Sequence, residues 1–236
     1  MIQLSERLQA VANLVGETGV VADVGTDHGY IPVYLVSAGK AERAIAMDVN
    51  QGPLQRALEH IRKFHMEKQI ETRLSDGFKA LQPGEAQTIV VAGMGGALMK
   101  RILDEGEDVA HTAKRLVLQP QSELSAFRHF LAEHGYRILG EDMVYEDGKF
   151  YSMMAAVWEG ERTDCAVQMT EPEYKYGPML LACRHPVLRQ YLLLQRNQKQ
   201  KILDNLGKNA RQDVSGRREQ LLQDLQEIEG ILEISN

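Results

Sequence analysis

Residues 21–29 read V-A-D-V-G-T-D-H-G, an apolar run that enters an acidic, glycine-rich turn. A second apolar run, A-I-A-M-D at 44–48, ends on Asp48, 23 residues beyond Gly25. A strand, a glycine turn and a downstream acid form the layout of a nucleotide-type cofactor site at the edge of an α/β sheet. The glycines let the backbone approach a ligand closely, and the downstream carboxylate can accept hydrogen bonds from both ribose hydroxyls.

The residues inside the turn choose between cofactors. A dinucleotide fingerprint needs G-x-G-x-x-G. Counted from Gly25, its second and third glycine positions hold Asp27 and Tyr30. Asp23 and Asp27 would also repel a pyrophosphate, by roughly 1 kcal/mol per close exposed pair and more when buried. Acids here suit a ligand with a cationic end. S-adenosylmethionine carries a sulfonium and an ammonium, and its adenosine supplies the ribose for Asp48. The plain alternative is an ordinary strand-to-helix turn with a solvated pair of acids.

The flanking sequence continues the alternation. An amphipathic helix is expected over Ser5–Val15, then strands over Val20–Val24, Arg43–Met47, Ile70–Leu74, Thr88–Ala92 and Arg115–Leu118. Helices are expected between them over Ile31–Ala38, Pro53–Phe64 and Ala97–Leu103, and after them over Ser122–His134 with Ser122 as N-cap. Segments 136–146 and 150–158 are joined by Glu146-Asp147-Gly148, a hairpin signal. Alternation implies a mostly parallel sheet, and the hairpin adds an antiparallel pair at one edge. The expected fold is therefore α/β, a Rossmann-like seven-stranded class I methyltransferase sheet.

Beyond Pro172 the sequence turns almost wholly helical. Leu188, Leu192, Gln195 and Ile202 fall near heptad positions, widened by Leu193, Leu194 and Leu203. After Gly207–Gly216 a second helix carries Leu221, Leu222, Leu225, Ile228 and Leu232. The pattern predicts a helical coiled-coil hairpin. Two domains are expected, 1–165 and 166–236.

Composition sets the outer bounds. The chain has 236 residues, enough for one α/β domain with an appendage, and 44% of them are apolar. Its N-terminus, M-I-Q-L-S-E-R, has neither the basic nor the apolar region of a secretory signal, and no run reaches the ~20 apolar residues of a membrane span. Cys165 and Cys183 make no C-x-x-C pair, so free thiols in a reducing cytoplasm are expected. The seven histidines lack zinc spacing, so no metal is expected. Net charge is −6, yet residues 175–218 hold ten Lys/Arg against two Asp/Glu. That block is a candidate phosphate-binding face, the alternative being a solvated helical surface.

In an open α/β sheet, ligands sit at the carboxyl ends of the strands. Here those ends carry Asp23, Gly25, Thr26, Asp27, His28 and Gly29, then Asp48, then Asp76 and Gly77, then Ala92, Gly93 and Met94. These form the expected cofactor set. The first acids would address the methionine ammonium, Asp48 the ribose and Asp76 the adenine amine, although Asp76 in S-D-G-F also reads as an Asx turn. Tyr30, Gly95 and Gly96 are candidate substrate contacts. Gly95-Gly96 reads equally as a tight turn. The loop A-G-M-G-G lacks the proline turn and aromatic residue common in enzymes that methylate an exocyclic amine of DNA.

Taken together, D-V-G-T-D-H-G, A-M-D-V-N, L-S-D-G, V-A-G-M-G-G and L-Q-P, followed by a basic helical tail, resemble the bacterial tRNA adenine-22 N1-methyltransferases over essentially the whole chain. The resemblance implies methyl transfer from S-adenosylmethionine to N1 of an adenine in tRNA, by a cytoplasmic enzyme whose tail helps hold the tRNA. A monomer is expected. Candidate phosphate contacts are Arg184, Arg189, Arg196, Lys199, Lys201, Lys208, Arg211, Arg217 and Arg218. Neutral adenine N1 has an available lone pair, so no base is required; positive charge then spreads over N1, C6 and N6. Asp27 is the catalytic candidate, as the carboxylate that meets this charge, or else it binds only the cofactor's methionine end. Two other readings stay open. One is a small-molecule or protein methyltransferase whose tail dimerises; the other is a nucleic-acid-binding regulator on a vestigial cofactor fold.

Overall fold

In the computed structural model of the chain, residues 2–160, 169–209 and 215–234 are described. The chain divides into two compact units, Met1–Met169 and Thr170–Asn236. The boundary expected after residue 165, and Cys165 itself, lie outside the described residues.

The first unit runs α1 (Glu6–Val15), β1 (Thr18–Val24), α2 (Tyr30–Ser37), β2 (Ala41–Asp48), α3 (Gln51–Lys63), β3 (Ile70–Leu74) and β4 (Thr88–Met94). It continues with α4 (Gly96–Glu105), the short α5 (Glu107–Ala110), β5 (Arg115–Pro120), α6 (Leu124–Glu133), β6 (Tyr136–Glu146) and β7 (Lys149–Trp158). The seven strands form one sheet in the order β3-β2-β1-β4-β5-β7-β6. The first five are parallel, and β7 is antiparallel to both β5 and β6. This is the expected methyltransferase sheet. The β6–β7 turn places Asp147 at φ 49° and Gly148 at φ 77° between the paired Glu146 and Lys149. Two left-handed residues in a two-residue loop match the twist of the flanking strands.

Strand side chains alternate between faces, and both faces of the sheet are covered. Ala22, Val24, Ile45, Met47, Ile89, Val91, Leu116 and Leu118 pack on one side with Met99 and Leu103 of α4 and Phe127 and Leu131 of α6. Val21, Ala44, Ala46, Val90 and Val117 pack on the other with Val11 and Val15 of α1, Ile31 and Leu35 of α2, and Ile61 of α3. Burial on both faces explains why these strands read as continuous apolar runs. Asp23 shares the α1–α2 side with Val21, only 5% exposed. Ser5 opens α1 as expected, its Oγ accepting from Leu8 N at 3.4 Å.

One cap differs from expectation. Helix α6 starts at Leu124 rather than Ser122, and its N-cap is Glu123 in the left-handed region. Ser122 Oγ instead accepts from Gly96 N at 3.3 Å, and Glu123 Oε2 accepts from Ala97 N at 2.9 Å. Both side chains are spent on the unsatisfied N–H groups that open α4.

The second unit contains α7 (Glu171–Tyr176), α8 (Pro178–Ala182), α9 (Pro186–Asn209) and α10 (Ser215–Ile234). Thr170 and Glu173 form a capping box at the start of α7. Leu188 and Leu192 of α9 and Leu221, Leu225, Ile228 and Leu232 of α10 are buried. The stripe is narrower than the sequence suggested: Leu194, Ile202 and Leu222 are each more than 40% exposed. Helix α9 also continues through Gly207 to Asn209 instead of ending at the glycine. Charge neutralisation inside the unit was not visible from the basic block alone. Lys199 pairs with Asp224, and Lys175 Nζ lies 2.7 Å from Glu227 Oε1, so acids of α10 answer bases of the preceding helices. No described helix is long and apolar enough to cross a membrane.

Candidate active site

The turn after β1 is fastened to the neighbouring strand. Gly25 N and Thr26 N both donate to Met47 O at 2.8 Å. This brings the turn beside Asp48 at the end of β2, whose Oδ1 accepts from Asn50 N at 2.7 Å. Gly25 has φ 80°, and a Cβ added there would meet the Met94 methyl at 2.1 Å. His28 and Gly29 both take left-handed backbone, at φ 61° and 63°. Few non-glycine residues take that region, and histidine is among those found there more often. A Cβ on Gly29 would lie 3.3 Å from Ala57 Cβ of α3, so the glycine lets α2 and α3 approach.

A cleft of about 300 Å³ opens at this edge, lined by Arg7, Leu8, Asp23, Gly25, Asp27, Tyr30, Ile31, Ala92, Gly93 and Gln121. Six of its residues were expected from sequence: Asp23, Gly25, Asp27, Tyr30, Ala92 and Gly93. Arg7, Leu8, Ile31 and Gln121 were not. Asp76 and Gly77 line a second hollow of about 190 Å³, with Phe78 and Ile102. Strand order sets Asp48 between the two. At about 4.8 Å per strand, the three strand-end acids span roughly 10 Å of sheet edge, the scale of a nucleoside joined to an amino acid.

The acids differ in state. Asp23 is buried, and no basic side chain among the described residues pairs with it. Burial pushes its carboxyl up to about 6; the nearby charge of Asp48 adds to this, and the Thr26 hydroxyl opposes it. Thr26 Oγ1 is itself buried and lacks a partner within hydrogen-bond geometry. Asp76 is held below its ordinary carboxylate range by Lys79, whose Nζ lies 2.6 Å from Oδ2, with Arg101 3.6 Å from Oδ1.

Asp27 stands at the rim, its side chain 67% exposed, and accepts from Arg56 Nη2 at 2.9 Å. His28 Nε2 is 3.5 Å from the same Oδ1. The His28 ring stacks on Tyr30 at 5.3 Å between centroids, and Tyr30 meets His60 edge-on at 5.0 Å. His60 Nδ1 lies 3.0 Å from His28 O, and partial burial lowers the imidazole's pKa. Arg56 and His60 follow one another by a helical turn on α3, a spacing that flagged nothing in the sequence because either reads as a solvated face.

Across the cleft, Gly93 has φ 80° at a register shift between β4 and β5. Gly95 and Gly96 turn towards the β5–α6 loop: an added Cβ on Gly96 would come 2.6 Å from Ser122 O. Of the two readings of this pair, the geometry supplies a packing reason for the tight turn. In the second unit Arg184, Arg189, Lys201, Arg217 and Arg218 are exposed, and Arg196 is half-buried. Lys199 is engaged by Asp224. The Lys208 side chain and Arg211 lie outside the described residues. Among the described residues, no group of three or more His, Cys, Asp or Glu is placed to hold a metal ion.

The fold agrees with known proteins. Residues 4–154 match the methyltransferase domain family. A tRNA (adenine(22)-N(1))-methyltransferase of Bacillus subtilis is 39% identical over 155 residues, which cover 66% of this chain and 65% of that protein. A solved structure from Streptococcus pneumoniae, described as a putative tRNA (m1A22) methyltransferase, superposes with TM-score 0.87 at 30% identity, covering 98% of this chain and 100% of that one. This chain belongs to the tRNA (adenine-22-N1)-methyltransferase family. The Streptococcus protein was also solved with S-adenosyl-L-methionine, matching at TM-score 0.84, 30% identity and coverage of 98% and 100%. A family member from M. capricolum, solved with S-adenosyl-homocysteine, matches at TM-score 0.78 and 26% identity over 99% of this chain and 98% of that one.

Proposed function

We propose that this chain transfers a methyl group from S-adenosylmethionine to N1 of adenine 22 in tRNA. The observation that carries the reading is Asp23. A buried acid without a basic partner, deep in a cleft walled by glycine backbone, is a site waiting for a cation. The donor set fits the cofactor. Asp23 answers its ammonium, Asp48 its ribose, and Asp76 with Gly77 its adenine, while the backbone of Gly25, Ala92 and Gly93 admits the chain between them. Thr26, His28, Gly29 and Met94 shape the turn around it. When bound, S-adenosylmethionine supplies an electrophilic methyl group on a sulfonium.

The remaining groups serve the acceptor. Asp23 lies deep and Asp27 at the rim, so the two acids divide their work. Asp27, aimed by Arg56 and His28, faces the positive charge that grows on the adenine ring, an effect worth a few kcal/mol in a closed site. Much of the rest is alignment, worth roughly 7–11 kcal/mol when reacting atoms are held in line. N1 lies on the Watson–Crick edge, so a paired adenine must first be extruded. Tyr30 is 37% exposed and its ring, already stacked on His28, offers a surface for a flat base. The helical unit supplies phosphate contacts, from the exposed Arg184, Arg189, Lys201, Arg217 and Arg218. All these groups come from one chain, and the reading takes the monomer as the acting unit.

The test uses two tRNA transcripts, one with adenine at position 22 and one with guanine. Methyl incorporation is expected in the first alone. Equal incorporation in both would refute the position.

A further inference from the structure

Stacking alone does not identify a base, because every nucleobase has a π-face. A base resting on Tyr30 is therefore held without being read. Adenine and guanine differ on the Watson–Crick edge: adenine offers its N6 amine as a donor where guanine offers O6 as an acceptor. A site that selects adenine needs a fixed hydrogen-bond acceptor beside N6.

His60 of α3 supplies one. Its Nδ1 lies 3.0 Å from the carbonyl oxygen of His28. A carbonyl only accepts, so Nδ1 carries the proton and Nε2 the lone pair. Partial burial holds the imidazole below its ordinary pKa, which keeps the ring neutral at neutral pH. Nε2 has no hydrogen-bond partner among the described residues and is not closed off from solvent. Two rings clamp the imidazole. Tyr30 meets it at 78° and Phe64, one turn along α3, at 89°, each with centroids 5.0 Å apart. A base on Tyr30 thus lies beside an acceptor whose tautomer and orientation the protein has set. Arg56, one turn before His60, pairs with Asp27 on the same rim, so α3 serves both groups that face the acceptor.

We propose that His60 Nε2 accepts a hydrogen bond from the N6 amine of the target adenine and is the residue that selects adenine over guanine. Guanine would set its O6 lone pairs against that of Nε2. The bond also tightens during the reaction: as N1 takes the methyl group, positive charge reaches N6 and its N–H becomes a stronger donor. The inference rests on the acceptor reading above, and its test separates the two.

Single-turnover methyl transfer would be measured on tRNA carrying adenine or unsubstituted purine at position 22, using the full chain, His60→Phe and His60→Gln. Purine keeps N1 and lacks the amine. Losing a hydrogen bond to a group that becomes charged corresponds to roughly a 10- to 100-fold loss of rate. His60→Phe is expected to lose that much on adenine and to stay within a few-fold of the unaltered chain on purine. Purine is the weaker nucleophile, and comparison between proteins cancels that difference. His60→Gln, whose amide oxygen can accept, is expected to lose less on adenine. Equal losses on both substrates would make His60 a prop for Tyr30 and overturn the proposal, as would a full adenine rate in His60→Phe. If the unaltered chain methylates neither tRNA, the function reading itself falls, and this inference with it.

Discussion

Asp23 ties stability to function through its proton. Burial raises its carboxyl from 3.8 to about 6, so between those values the folded chain keeps a proton that the unfolded chain has lost. Stability from the neutral acid is present below about pH 4 and is lost as pH rises through 6, a cost of about 3 kcal/mol at neutral pH. Asp23→Asn is therefore expected to resist urea better than the unaltered chain at pH 8, the gain vanishing near pH 4, while binding S-adenosylmethionine poorly. The same gain at both pH values would place the effect elsewhere. Asp27, exposed and paired with Arg56, carries a different expectation. Asp27→Asn should keep cofactor affinity in calorimetry and lose about 100-fold in methylation rate, the usual scale for removing one group that meets transition-state charge. An unchanged rate with normal cofactor binding would reduce Asp27 to the cofactor's methionine end.

At the scale of elements, the hairpin is tied to the helix before it by a buried ion pair. Arg128 Nε of α6 lies 2.9 Å from Glu141 Oε1 of β6, with side chains 1% and 0% exposed, and Arg128 Nη2 donates to Ser152 Oγ of β7 at 3.2 Å. Removing one partner leaves a charge buried without its match, so Glu141→Gln should lower unfolding stability by about 3–5 kcal/mol in denaturant titration. This pair shows where sequence reading stops. The central strands were legible because burial on both faces makes them continuous apolar runs, and the hairpin because Asp147-Gly148 suits two left-handed positions. Arg128 was not singled out, since nothing local says that a carboxylate 13 residues away will meet it. Ser122 read as an N-cap for the same reason: its true partner, Gly96 N, opens another helix. The candidate site divides likewise. Its acids and glycines cluster in strand-end motifs and could be found. Arg7, Arg56 and Gln121 lie outside those motifs and reach the cleft only through the fold.

For the whole molecule, the division into a sheet unit and a helical unit suggests a division of tasks. The cofactor groups lie in Met1–Met169 and the dense basic residues in Thr170–Asn236. Deleting Thr170–Asn236 is expected to abolish tRNA binding in a gel-shift and leave S-adenosylmethionine affinity within a few-fold; loss of both would make the helices a support for the sheet. In the full chain, tRNA affinity should fall steeply with salt, as each neutralised phosphate releases counterions. The net charge of −6 does not oppose this, because the bases are concentrated in one block. Lys199, paired with Asp224, should contribute less to the salt slope than Arg217 or Arg218. The central claim joins cofactor, substrate and attacked atom, and one experiment addresses all three. Labelled S-adenosylmethionine is supplied with bulk unmodified tRNA, and the product is digested to nucleosides. The account predicts label in 1-methyladenosine. Absence of incorporation, with the cofactor measurably bound, would contradict it and move the chain to small-molecule or protein methylation.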